Sequence, residues 1–252
     1  MCERVHTFTT IWKMHRLSAR DNAGSVPGVY NTSEFWEHLW RTSGIHFVAF
    51  AIIAYAIYGS LPEVGAPTDT LLAFYSDHRV RIPIAAVFSG LAVLNLMWFS
   101  AALRSTLADS DKDGWGGAAT AASAALGGLT LVLVMVSAML AYSMAGSGSA
   151  FASGFHDFVW AGIVLSSFPR AMLIMAGTFG LWRAGIISNK LFAAGVIAVV
   201  LVLLGGTTWM NSGLWAPDGA YSRIISPAIG FAWVVVVSRI LLNTSSVSRA
   251  RW

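Results

Sequence analysis

Long apolar stretches alternate with short polar ones along this chain, covering residues 43–61, 82–103, 118–142, 155–183, 191–210 and 224–242. Each is long enough to supply the twenty or so residues that a helix needs to cross the hydrocarbon core of a bilayer. The intervening segments read as boundaries. Pro62 stops the first stretch, and Pro83 sits where a proline is tolerated, in the first turn of the second. The segments 62–81, 104–117, 143–154, 183–190 and 211–223 are expected as loops or turns, with RSTLADSDKDGWGG at 104–117 acidic and glycine-rich. Ahead of the first stretch, Asn31-Thr32-Ser33-Glu34 has the spacing of a capping box. The helix it starts gathers Phe35, Trp36, Leu39 and Trp40, so residues 33–41 are expected to lie at the membrane surface. The pattern predicts an all-α protein, an integral membrane bundle of six transmembrane helices over 43–243. It is flanked by a cytoplasmic segment, 1–42, and a cytoplasmic tail, 244–252.

Composition supports that class. Of 252 residues 56% are hydrophobic and only 11% charged, with a mean hydropathy of +0.65, whereas soluble domains are nearer a quarter charged. The basic residues set the orientation. Twelve of the sixteen Lys and Arg fall on one side: Arg4, Lys13, Arg16, Arg20, Arg41, Arg104, Lys112, Arg183, Lys190, Arg239, Arg249 and Arg251. Arg79, Arg81 and Arg223 fall on the other. By the positive-inside rule both termini are cytoplasmic. The net charge of +4 is thereby a matter of topology and calls for no nucleic-acid partner. The single cysteine, Cys2, allows neither an internal disulfide nor a cysteine metal site. No apolar leader precedes the first stretch, which is expected to act as its own insertion signal, with Met14 an alternative start to Met1.

Arg170 is the remaining basic residue, and it lies inside the fourth stretch beside Pro169. A charge at membrane depth costs about 2.5–3.5 kcal/mol on insertion scales, so it wants a reason. Counting residues along alternately rising and falling spans puts His46, Asn95, Ser166, Ser167 and Arg170 near one layer, a candidate ligand-binding set. The alternative is an Arg170 that snorkels to the cytoplasmic surface and an Asn95 that makes one interhelical hydrogen bond. Pro169 is expected to kink the helix. Asp77, His78, Arg79, His156 and Asp157, with Arg81, Asp218 and Arg223, form a second polar group at the outer face, where ordinary loop ion pairs compete with metal or proton chemistry. In the third stretch AATAASAALGG carries small-xxx-small pairs, Ala121/Ala125 and Ala124/Gly128, expected to pack in the bundle centre or at an oligomer contact.

The familiar catalytic signatures, HExxH, GxSxG, Walker loop and GxGxxG, are absent, and no histidine pair has metal-ligand spacing, so no metal and no particular cofactor is implied. At FYSDHRVRI (74–82) and SFPRAMLIMAGTFGLWRAGIISNKLFAAGVIAV (167–199) the chain resembles a group of uncharacterised bacterial multi-pass membrane proteins, a domain of unknown function. The resemblance implies a multi-pass protein of a bacterial inner membrane and no activity. The function expected first is binding of a small apolar or amphiphilic molecule, or of a partner subunit, within or beside the bundle. An intramembrane enzyme on a lipophilic substrate and a small-solute transporter follow. The expected partners are membrane lipids, together with a second copy of the chain or a partner membrane subunit.

Overall fold

The computed structural model describes residues 32–143 and 151–249, with side chains from 40 to 143 and from 151 to 244. The expected cap at Asn31, most of the N-terminal segment and residues 250–252 of the tail lie outside the described residues. So do the side chains of Phe35, Trp36 and Leu39. The packed body begins at His38.

Eight α-helices follow in chain order: α1 (Thr32–Tyr58), α2 (Thr68–Asp77), α3 (Arg81–Ala108), α4 (Asp113–Ser143), α5 (Phe151–Leu165), α6 (Ser167–Arg183), α7 (Asn189–Gly205) and α8 (Ser226–Arg249). A π-helical turn, Tyr221–Ile225, runs into α8. Among the described residues five runs are long and apolar enough to cross a membrane: Trp40–Tyr58, Arg81–Ala108, Asp113–Ser143, Phe151–Arg183 and Tyr221–Thr244. The body is therefore an apolar helical bundle of the multi-pass membrane type. Its outward surface carries Val87, Leu94, Met135 and Ile197, as suits a lipid medium.

Of the six stretches expected to span, the fifth, α7, falls short of that length. Its 17 residues span about 25 Å at the usual helical rise. It ends at Gly205, five residues before the expected limit, because the hydroxyls of Thr207 and Thr208 turn back onto the carbonyls of Leu204 and Gly205. The first helix also ends early. Gly59, at φ +80°, donates its N–H to the Tyr55 carbonyl and closes α1 before Pro62 is reached. The expected loop 62–81 contains a helix, α2, whose Leu71 and Tyr75 are wholly buried. These two lie four residues apart and so share one face.

Buried side chains gather in two clusters. One, near the Arg183 end, joins Phe99, Leu103 and Leu107 of α3 to Leu173, Ile174 and Leu181 of α6 and Val234 and Leu241 of α8. The other joins α2 to Val136 and Leu140 of α4 and Val159 of α5. α1 is pinned to the first cluster at Gly44, where a Cβ would lie 2.7 Å from Phe99. Arg41 adds a hydrogen bond from Nη1 to the Leu241 carbonyl, 3.0 Å.

The small-residue half of α4 packs closely within the bundle, but by another face than the two small-xxx-small pairs. Ala121, Ala124, Ala125 and Gly128 are exposed, while Ala119, Ala122, Ser123, Leu126 and Gly127 are buried. In a run where nearly every residue is small, i and i+4 pairs occur on every face, so spacing alone does not select one. Gly127 shows the constraint: a Cβ there would lie 2.9 Å from Val93 and from Met97 of α3, whereas Gly128 faces open space. We expect Gly127→Leu to destabilise the protein in detergent by about 1–3 kcal/mol through overpacking, and Gly128→Leu to stay within about 0.5 kcal/mol. Thermal melts of the pair check this, and equal behaviour would contradict the packing.

Candidate ligand cleft

Pro169 has no backbone N–H and crowds the carbonyl four residues back, and the helical run breaks at Ser166, between α5 and α6. Phe151–Arg183 still forms one run across the break. Ser166 N–H still reaches the Gly162 carbonyl at 2.9 Å, and Arg170 N–H reaches that of Ser166 at 3.2 Å. A second irregularity faces the first. The π-helical turn before Pro227 delivers Ser226, fully buried, to the same place.

Arg170 sits where these breaks meet. Nη2 donates to Ser166 Oγ at 2.8 Å and Nη1 to Ser226 Oγ at 3.3 Å. Ser166 can accept because its own proton goes to the Ile163 carbonyl, 2.6 Å away. The arginine stem lies along α8 at Gly230, where a Cβ would come within 2.7 Å of Arg170 Cδ. Among the described residues no carboxylate pairs with this guanidinium. Asp157, the seventh residue of α5, accepts from Gly65 N–H instead, and the Arg104–Asp113 ion pair, 3.1 Å, is exposed.

The guanidinium borders a cleft of about 290 Å³ between α1 and the helices α3, α4, α5 and α8. It lies between the two hydrophobic clusters, with Phe47, Leu96 and Phe231 lining it together with Arg170, and Tyr58, Leu61 and Val159 lining it farther along. Its walls are more apolar than their composition implies. The hydroxyls of Ser89, Thr130 and Ser137 all donate to carbonyls one turn back in their own helices. Tyr58 differs: its buried hydroxyl lies beside Ser137 and Tyr75 without hydrogen-bond geometry to either.

Of the five residues expected to share a layer, the structure joins Arg170 and Ser166. Ser167 points to the α6–α7–α8 junction, where it and Ser226 leave room at Gly205 for hydrogen only. Asn95 donates to the Leu91 carbonyl of its own helix at 2.8 Å, and His46 makes no recorded hydrogen bond to Arg170. Ser226 was not among the expected residues. Its sequence signal is the Ser-Pro step that interrupts the last apolar stretch, a feature that looks structural until its neighbours are known.

The outer polar residues do different work. His156 is fully buried. Its Nε2 faces the Pro62 carbonyl at 3.1 Å and its Nδ1 the Tyr75 hydroxyl at 3.0 Å. A carbonyl only accepts, so Nε2 carries the proton and Nδ1 accepts from Tyr75. Burial pushes the Tyr75 phenol well above its ordinary range, which keeps it a donor. Trp160 Nε1 also donates to Pro62, at 2.9 Å. Asp157 accepts from Gly65 N–H at 3.0 Å, and Asp218 from Val64 N–H at 3.4 Å. Loop 59–67 is thus clasped over the end of the cleft, and Arg223 adds a hydrogen bond from Nε to the Tyr55 hydroxyl, 3.1 Å. His78 instead bonds its own helix at Phe74 and stacks on that ring, 4.4 Å between centroids. Asp77 and Arg79 are exposed, and Arg79 lies over Tyr142 at 5.7 Å. The described residues hold no group of three or more side chains suited to a metal ion.

Comparison with protein-family models, with curated proteins and with solved structures finds no match. The functional reading therefore rests on the cleft itself. For the clasp, Tyr75→Phe should cost about 1–3 kcal/mol, because it leaves buried Nδ1 of His156 without a donor. His78→Ala should cost less than about 1 kcal/mol, since the lost bond is local to one helix. Melting curves of the two variants decide, and an equal or reversed order would contradict the clasp.

Proposed function

We propose that the protein is a membrane protein of six spans that binds a small amphiphilic molecule in the cleft between α1 and the rest of the bundle. The observation that carries this reading is a solitary guanidinium at one end of an apolar cavity. Such a cavity offers a hydrocarbon chain dispersion contacts and the charge offers its polar end a partner. The sixth span in this reading is α7, whose length is at the short end of what crosses a bilayer. It leaves the Arg183 end through the turn 184–188 and leads to the loop whose Asp218 meets Val64. With six crossings the twelve clustered basic residues put both termini in the cytoplasm. Membership of the uncharacterised bacterial group, and placement in an inner membrane, belong to the same proposal. A second copy or a partner subunit would pack on the exposed Ala121–Gly128 face.

One observation favours transport as the second reading. Two interrupted helices meet at Arg170, and transporters build mid-depth sites from such interruptions. Uptake into proteoliposomes separates it from binding alone.

Two measurements test the proposal. A reporter fused after Trp252 should be active only in the cytoplasm and one inserted near Gly148 only outside; an outside signal from Trp252 would contradict six spans in this orientation. For the cleft, single-chain amphiphiles should raise the melting temperature of the purified protein. Ala51→Phe, which fills the cleft from α1, should abolish that rise while leaving the ligand-free melt nearly unchanged. A panel of neutral, anionic and cationic chains that all fail to stabilise the protein would contradict the binding reading.

A further inference from the structure

The chemistry at Arg170 specifies which end of an amphiphile belongs there. A guanidinium remains charged in proteins and offers five N–H donors in a planar fork. Ser166 and Ser226 take two of them, and both are neutral. Nothing acidic among the described residues offsets the charge, yet it lies at the twentieth position of a 33-residue run, far from either end. A desolvated cation keeps its place best when an anion joins it, and the paired oxygens of a carboxylate or phosphate match the fork.

We infer that the cleft binds a molecule with one apolar chain and an anionic oxygen head group, carboxylate or phosphate, and that Arg170 pairs with the head. This rests on the binding reading above and adds the chemical class. The chain lies toward Tyr58 and Val159. Val159 is eleven residues from Arg170 along the same run, about 16 Å at the helical rise. The cavity of about 290 Å³ is at the small end for ligand pockets, which suits one chain rather than two. The hydroxyls of Ser89, Thr130 and Ser137 donate to carbonyls of their own helices. A neutral polar head could accept a hydrogen bond from the guanidinium but would leave its charge unpaired.

The test compares four probes on the intact protein in neutral detergent: palmitate, hexadecanol, hexadecyl phosphate and dipalmitoyl phosphatidic acid. Binding is read by displacement of a fluorescent fatty acid and by melting temperature. Palmitate or hexadecyl phosphate should bind about tenfold or more tightly than hexadecanol, the factor expected of charge-assisted hydrogen bonds. Arg170→Gln should erase that preference while hexadecanol affinity holds. This comparison needs no variant, so a folding defect in Arg170→Gln would not remove the test. Equal affinity for palmitate and hexadecanol would overturn the head-group inference and leave the cleft reading standing. Preference for dipalmitoyl phosphatidic acid would overturn the single-chain part and point to a bilayer lipid. Failure of all four to bind would overturn the head-group inference, and failure of the cationic chains as well would overturn the cleft reading.

Discussion

Arg170 carries a charge into the least hospitable part of the chain, and much of the surrounding structure is arranged around its guanidinium. Two serine hydroxyls solvate it, one from its own helical run and one from α8. Each hydroxyl comes from an interruption: the break at Ser166 ahead of Pro169, and the π-helical turn ahead of Pro227. A proline inside a helix leaves a carbonyl without its donor and loosens the adjacent turn. Here the loosening is used twice at one spot. Gly230 completes it by letting the arginine stem run against α8. Without these adjustments the charge would have to leave the bundle or go unsatisfied.

The same arrangement shapes the cleft. α1 approaches the bundle closely at Gly44 and is tied again at Tyr55 by Arg223. Between those points its Phe47, Ala51 and Ala54 form one wall. The opposite end is closed by loop 59–67, whose Pro62 carbonyl accepts from both Trp160 and His156. A carbonyl with two donors, and backbone N–H groups taken by Asp157 and Asp218, hold a loop whose Leu61 and Ala66 also pack against the second cluster. The polar residues of this end therefore serve to fix a lid, and the only charged side chain lining the cleft is Arg170.

How much of this could be read from the chain differs by feature. The long helices were legible because a bilayer imposes a minimum apolar length, and Pro169-Arg170 stood out because a charge at depth is costly. The helix α2 escaped notice: ten residues are too few for a hydropathy signal, although Leu71 and Tyr75 have helical spacing. Ser226 escaped because its role depends on which helix lies beside Arg170, and depth counting does not fix rotation. Rotation also explains Asn95, which has the expected depth but satisfies itself on Leu91. On α4 the composition announced close packing, and only the neighbouring Val93 and Met97 determine that Gly127 rather than Gly128 is the contact.

The central claim is that Arg170 stays inside the bundle and faces an occupied cleft. A cryo-EM map of the protein in lipid nanodiscs tests it most directly. The account predicts the guanidinium within hydrogen-bond distance of Ser166 and Ser226, with elongated non-protein density running from it toward Tyr58. A guanidinium extended to the bilayer surface, with α1 collapsed onto α3 and α4 and the cleft closed, would contradict it.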